Sequence, residues 1–197
     1  MSGTRTWRAA SAFWPGADNS HFIDTPGGSL HVRISGAGED VLLLHGAGAS
    51  GHSFAGVASA LTARHRLIIP DLPGQGFSAL LPPEQVGLPE FADHLISLMA
   101  KIEAKPRWII GHSAGAALAT QFALQATERP KGILCINAAF NPFGSVAAPI
   151  FSKAARLLAR NQWLPRLLGL AGVPMASDPC DALRHGFVSG PTDVAVL

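Results

Sequence analysis

Gly111-His112-Ser113-Ala114-Gly115 constrains the fold of this chain more than any other stretch. An apolar run, Trp108-Ile109-Ile110, precedes it, and an alanine-rich stretch from Ala116 to Ala126 follows. That order reads as strand, sharp turn, helix. A serine at the top of such a turn has an exposed hydroxyl and a strained backbone, and Gly111 and Gly115 relieve the crowding around it. The geometry is that of a nucleophile elbow, and it predicts attack by a serine on a carbonyl carbon. In a chain with 21 glycines the pattern alone is a weak signal. Its neighbours, and the order in which they come, give it weight.

The flanking segments alternate between two periodicities. His21 to Asp24 and Ser29 to Ile34 read as short strands joined by the turn Thr25-Pro26-Gly27-Gly28. Val41-Leu42-Leu43-Leu44 and Leu67-Ile68-Ile69-Pro70 are continuous apolar runs, as in strands buried on both faces. His52 to Leu61 fits a short helix. Leu88 to Glu103 carries Phe91, Leu95, Leu98, Met99 and Ile102 at helical spacing, with Pro89 suited to a first turn. The helix after Ser113 is expected to reach about Glu128, and Gly132 to Ile136 is a sixth strand. The first twenty residues read as an irregular arm, broken at Trp14-Pro15-Gly16. Strands alternating with helices predict an α/β fold: a mostly parallel sheet with helices on both faces.

Two further loops follow strands and carry chemistry. Acyl transfer needs two backbone N–H groups aimed at the developing oxyanion. One comes from the residue after the nucleophile, Ala114. The other is expected from His45-Gly46-Ala47-Gly48, with Ala47 the choice, because Gly46 and Gly48 let the backbone approach a substrate. His45 lies at a strand end and is read as a brace for that loop rather than as a base. His112 is read as a packed neighbour of the serine. Asp71-Leu72-Pro73-Gly74-Gln75-Gly76-Phe77-Ser78 is a rigid turn shaping one wall of the site.

Strand–HGxG, strand–DxPGxG and strand–GxSxG–helix, in this order over about Phe22 to Asn141, resemble the α/β-hydrolase superfamily. The resemblance implies an eight-strand, mostly parallel sheet, a Ser–acid–His triad and a cap after the sixth strand. Leu42 to Ser50, Gly111 to Ala117, Ile136 to Gly144 and the run Phe151 to Leu168 are similar to the magnesium-chelatase accessory hydrolases of bacteriochlorophyll biosynthesis. That resemblance implies a role beside magnesium insertion into protoporphyrin, with magnesium chelatase as a partner. Only Ser113 and the oxyanion positions carry over from it.

The acid and the histidine of the triad belong on loops after the seventh and eighth strands. Two more strands with their helices need roughly 60–90 residues beyond the cap. The fold is therefore expected to be truncated before its last two strands. Residues 1–140 form the six-stranded core and 141–197 a helical cap segment with an incomplete C-terminus. A fragment, a truncated product and a shortened accessory protein are all open readings. His185 is the candidate base in the tail, although Asp181 four residues earlier suits a helix-surface pair. Asp178 and Asp193 are the other acids there. Lys153, Arg156 and Arg160 share a helix face, with Arg166 beyond, and no acidic residue lies between Phe140 and Asp178. That face is solvated, or meets an anionic membrane surface or the carboxylates of a porphyrin.

A net charge of +2 gives no field for nucleic acid. Met1 to Phe13 lacks the apolar core of a signal peptide, and no run approaches a membrane span. Two cysteines, Cys135 and Cys180, make no disulfide framework, which fits a cytoplasmic protein, at most peripheral on a membrane. Two functions are open. One is hydrolysis of an ester or acyl bond in a small molecule, with no metal or organic cofactor. The other is a non-catalytic accessory protein that holds a tetrapyrrole or the chelatase. A serine at the elbow disfavours dehalogenase or epoxide-hydrolase chemistry, which uses aspartate there.

Overall fold

The structure, a computed structural model, describes residues 7–14, 16–139 and 194–196. These lie in the first of two units into which the chain divides, Met1–Ala139 with Pro191–Leu197; the second is Phe140–Gly190. Apart from Val194–Val196, the expected cap segment 141–197 and its basic face lie outside the described residues.

Among the described residues, seven strands form one sheet: β1 (Ser20–Thr25), β2 (Gly28–Ser35), β3 (Glu39–Leu44), β4 (His65–Pro70), β5 (Trp108–His112), β6 (Gly132–Ile136) and β7 (Val194–Val196). Their order is β1-β2-β4-β3-β5-β6-β7. The four central strands β4, β3, β5 and β6 are parallel. The β1–β2 hairpin adds antiparallel to β4, and β7 antiparallel to β6. Six strands are those read from the sequence. The seventh falls where a loop was expected: Val-Ala-Val has strand-forming residues, and the edge of β6 offers it unpaired backbone groups.

The apolar runs are continuous because helices cover both faces. Leu42, Leu44, Ile68, Leu30 and Val32 point to one side, with Ile109. There they meet Leu95 and Leu98 of α2 (Leu88–Lys101) and Leu118 and Phe122 of α3 (Ala114–Gln125). Val41, Leu43, Leu67 and Ile69 point to the other side, against Phe54 and Ala58 of the segment that includes α1 (Ala55–Leu61). Side chains alternate along a strand, so neighbours such as Leu42 and Leu43 serve different layers.

Helix ends differ slightly from the sequence reading, for local reasons. α2 stops at Lys101 rather than Glu103, because Glu103 takes a left-handed φ of 51°. The Ala104 N–H then donates back to Met99 O at 2.9 Å and the Glu103 N–H to Ala100 O, a Schellman closure built on a glutamate. α3 ends at Gln125 rather than about Glu128, whose carboxylate instead pairs with Lys105 Nζ at 2.6 Å. The N-terminal arm is less irregular than expected. Residues 7–10 make a helical turn, and Ala10 and Trp14 are buried.

Candidate active site

Parallel register brings the strand ends to one edge. Leu44 of β3 stands beside Gly111 of β5, and His112 beside Ile136 of β6. The loops after β3, β4, β5 and β6 therefore share that edge, where ligands sit in open α/β sheets.

Ser113 occupies the turn between β5 and α3 with φ 53° and ψ −118°. A non-glycine residue there costs about 1–3 kcal/mol, and the surroundings must impose it. They do so from both sides of the peptide. The Ser113 N–H donates to Ile136 O at 2.9 Å, and Ser113 O accepts from Ala139 N–H at 3.2 Å and Ala116 N–H at 3.1 Å. Neighbouring backbones press in closely. A Cβ on Gly115 would run into the Leu44 and His45 carbonyls, and one on Gly111 would lie 2.5 Å from Ala116 Cα. Gly111 and Gly115 are thus required by close approach, which is what a strand-to-helix turn of this sharpness demands. Ser113 is partly exposed, and its hydroxyl makes no capping bond to α3.

The loop after β3 lies against this turn. A Cβ on Gly46 would sit 3.2 Å from Ser113 Cβ and 3.3 Å from His112 Nδ1. Gly48 has φ 75°, a conformation that favours glycine. Ala47 between them is exposed, and its N–H donates to no group among the described residues. Ala114 is the first residue of α3, so its N–H has no intrahelical acceptor.

His45 is fully buried. The Leu72 N–H donates to its Nε2 at 2.9 Å, so Nε2 carries no proton. Its Nδ1 then holds the proton and donates to Gly46 O at 2.8 Å. Burial pushes the His45 pKa down, against the opposing pull of the Gly46 carbonyl and the Asp71 charge; His112 adds to the lowering. The ring is neutral, and both of its nitrogens are engaged in the scaffold.

Two features of this edge escaped the sequence reading. Gln75 Oε1 accepts from the Gly48 N–H at 2.6 Å, a second tether between the loops after β3 and β4. Asp71, which opens the loop after β4, is a buried hub. Its Oδ2 accepts from His31 Nδ1 and the Phe77 N–H, each at 2.9 Å, and its Oδ1 from the Gly51 N–H at 2.7 Å. Burial alone would raise the Asp71 pKa, but the His31 bond and charge and the two amides outweigh it and hold it below the usual carboxylate value. Trp7, Phe22 and Phe77 surround the His31 ring. The signal available in sequence was Asp71 itself, an acid placed directly after an apolar strand.

The candidate base His185 lies outside the described residues. Among the described residues, no group of three or more His, Cys, Asp or Glu side chains is placed to hold a metal ion. No helix among them is long and apolar enough to cross a membrane.

A mostly parallel sheet, a strained serine between strand and helix, and a glycine loop against it are features of an α/β-hydrolase fold. The chain belongs to the alpha/beta hydrolase fold family, whose model matches residues 41–168. It is 46% identical over 122 residues to the magnesium-chelatase 30 kDa subunit of Rhodobacter capsulatus, covering 62% of this chain and 42% of that protein. It is 28% identical over 172 residues to a pimeloyl-[acyl-carrier protein] methyl ester esterase of Aeromonas hydrophila, covering 83% of this chain and 66% of the esterase. The chain thus spans between two-fifths and two-thirds of the length of these relatives. Among solved structures, the N-acyl homoserine lactonase AidH superposes with a TM-score of 0.57 at 27% identity, over 61% of this chain and 45% of that one. A putative hydrolase of Bacillus subtilis superposes at 0.63 over 78% of this chain and 54% of its own; at 22% identity it speaks for the fold alone.

Proposed function

We propose that this chain carries the nucleophile and oxyanion half of a serine hydrolase acting on an ester or related acyl bond. The observation that carries the reading is the backbone of Ser113, held at φ 53° with the Gly46 loop packed against it. In this reaction Ser113 Oγ attacks the acyl carbon and its proton passes to a general base, which is unassigned among the described residues. The carbonyl π electrons move onto oxygen, and the N–H groups of Ala47 and Ala114 hold that charge. Collapse expels the alcohol and leaves an acyl-serine, which water cleaves to the acid. An esterase and a lactonase among the relatives and structural neighbours support this class of substrate. The test is covalent labelling by a fluorophosphonate, with Ser113→Ala as control. Labelling lost in the variant supports the assignment, and equal labelling of both proteins removes it.

The place of this chemistry is inferred to be beside magnesium chelatase in bacteriochlorophyll formation, supported by 46% identity to the 30 kDa subunit. A second reading is favoured by the engagement of both His45 nitrogens in the scaffold, which leaves that ring unavailable as a base. In it, the chain is a non-catalytic partner that holds a tetrapyrrole or the chelatase. Titration with protoporphyrin IX, followed by absorbance, separates the two. A shift that survives Ser113→Ala in a protein that takes no fluorophosphonate favours the second. Labelling without any shift favours the first.

A further inference from the structure

The N-terminal arm grips the loop after β4. Phe77 of that loop is buried, and the rings of Trp7 and Trp14 meet it edge-on, each with centroids 5.0 Å away. The two indoles also meet each other at 6.3 Å. Both come from the arm, so the arm supplies much of the apolar wall around Phe77. Phe77 in turn belongs to a tightly bonded turn. Its N–H donates to Asp71 Oδ2 at 2.9 Å, the Ser78 N–H to Gln75 O at 3.0 Å, and the Gln75 N–H to Leu72 O at 2.9 Å. Gln75 is therefore tied to Phe77, and its Oε1 accepts from the Gly48 N–H at 2.6 Å. A line of contacts thus runs from the arm to the loop after β3, where Ala47 adjoins Gly48.

The arm is docked at a cost. His31 Nε2, Arg33 Nη2 and His52 Nδ1 are buried with no hydrogen-bond partner among the described residues. The arm touches all three side chains. The Trp7 ring lies 4.7 Å from the His31 ring, and the Trp14 ring 5.4 Å from the His52 ring. A Cβ on Gly16 would lie 3.1 Å from Arg33 Cδ. Asp71 acts on Arg33 and His52 as an opposite charge, but its oxygens bond to His31, Gly51 and Phe77. Polar atoms shut away in this manner forfeit hydration, which the aromatic contacts of the arm must offset. An arm docked over such atoms is held by a smaller margin than one docked on a wholly apolar surface.

We propose that Trp7 and Trp14 are positioning residues for the loop after β3: the docked arm orders Gly48 through Phe77 and Gln75, and an arm that lifts leaves Gly48 and Ala47 less fixed. The coupling is a property of the fold and does not depend on the reaction. Its consequence for catalysis rests on the reading of Ala47 as an oxyanion donor. On that reading, lifting the arm slows acyl transfer without touching Ser113, because a donor that wanders stabilises the developing charge poorly.

The test is amide hydrogen exchange on the 197-residue chain. Wild type is compared with Trp7→Ala, Trp14→Ala, Gln75→Ala and each tryptophan variant combined with Gln75→Ala. Either tryptophan variant is expected to speed exchange at Gly48 by about threefold or more, with the Leu42 to Leu44 amides unchanged. Combined with Gln75→Ala, neither is expected to add anything at Gly48, because the path through Gln75 is already cut. Trp7 is only partly buried, so Trp7→Ala carries the comparison if Trp14→Ala fails to fold. Exchange at Gly48 that is unchanged, or sped no more than at Leu42 to Leu44, overturns the proposal. A fully additive effect in the double variants overturns it too. Fluorophosphonate labelling of the same proteins reads the catalytic consequence. Labelling slowed in step with Gly48 exchange supports it, and undiminished labelling beside a loosened Gly48 refutes it. A wild type that takes no label removes the hydrolase reading and leaves the coupling to be decided by exchange.

Discussion

The backbone N–H of Leu72 donates to Nε2 of His45 at 2.9 Å, while Nδ1 of the same ring donates to Gly46 O at 2.8 Å. One imidazole thus joins the loop after β3 to the loop after β4, 27 residues apart in sequence. His45→Phe keeps the ring's bulk and removes both bonds. It leaves the buried Leu72 N–H unpaired, while Gly46 O keeps the Ala49 N–H at 3.2 Å, at a cost of about 1–3 kcal/mol. Urea denaturation should show that loss, and a variant within experimental error of the wild type would refute the bracing role.

The same ring sets a pH dependence. Burial holds the folded His45 pKa below its ordinary 6.5, so the unfolded chain takes up a proton first. The contribution is complete above about pH 6.5 and is lost as pH falls through the folded pKa. Burial moves His52 and His94 in the same direction. Asp71 acts in a lower window: its folded pKa is below 3.8, so its contribution is present above that value and lost beneath it. Stability should therefore decline in two stages on acidification. His45→Gln should shallow the first stage, and an unchanged slope between pH 7 and 5 would contradict the assignment.

Glu103 closes α2 in a left-handed conformation that costs a side chain but not glycine. Glu103→Gly should raise stability by about 0.5–1 kcal/mol, read as a higher urea midpoint. A lower midpoint would mean that the glutamate side chain contributes something the closure does not need.

Gln75, on the loop after β4, fixes the exposed Gly48 of the loop after β3 through a 2.6 Å bond to the Gly48 N–H. Gln75→Ala should speed hydrogen exchange at the Gly48 amide by about tenfold or more while leaving core amides unchanged. If Ser113 labels with fluorophosphonate, the same variant should slow labelling, because Ala47 next to Gly48 loses its fixed position. Unchanged exchange would mean that the tether does not hold the loop.

Much of this architecture is legible in the sequence because it rests on local pattern. Val41 to Leu44 and Leu67 to Pro70 read as buried strands from their apolar runs, and Gly111 and Gly115 read as turn residues from their spacing. The contacts that escaped are long-range. His31 meets Asp71 across 40 residues, and Gly48 meets Gln75 across 27. Nothing in the alternation of β2 distinguishes His31, which bonds to Asp71, from Arg33, which makes no ion pair among the described residues. The helical turn at 7–10 was missed for a related reason. Trp7 packs edge-on to Trp14 and Phe77, so tertiary packing holds a turn that is too short to be stable alone, even with Arg8, Ala9 and Ala10 as good helix formers.

The strand order also dictates a schedule for synthesis. β2 and β3 are neighbours in sequence but not in the sheet, because β4 is inserted between them. As the chain leaves the ribosome, the β1–β2 hairpin can close on its own, whereas β3 has no partner until Pro70 has emerged. During that interval Val41 to Leu44, four consecutive apolar side chains, stay uncovered. The part of the chain that most needs shelter while folding is the strand that delivers His45 and Gly46 to the edge where Ser113 stands.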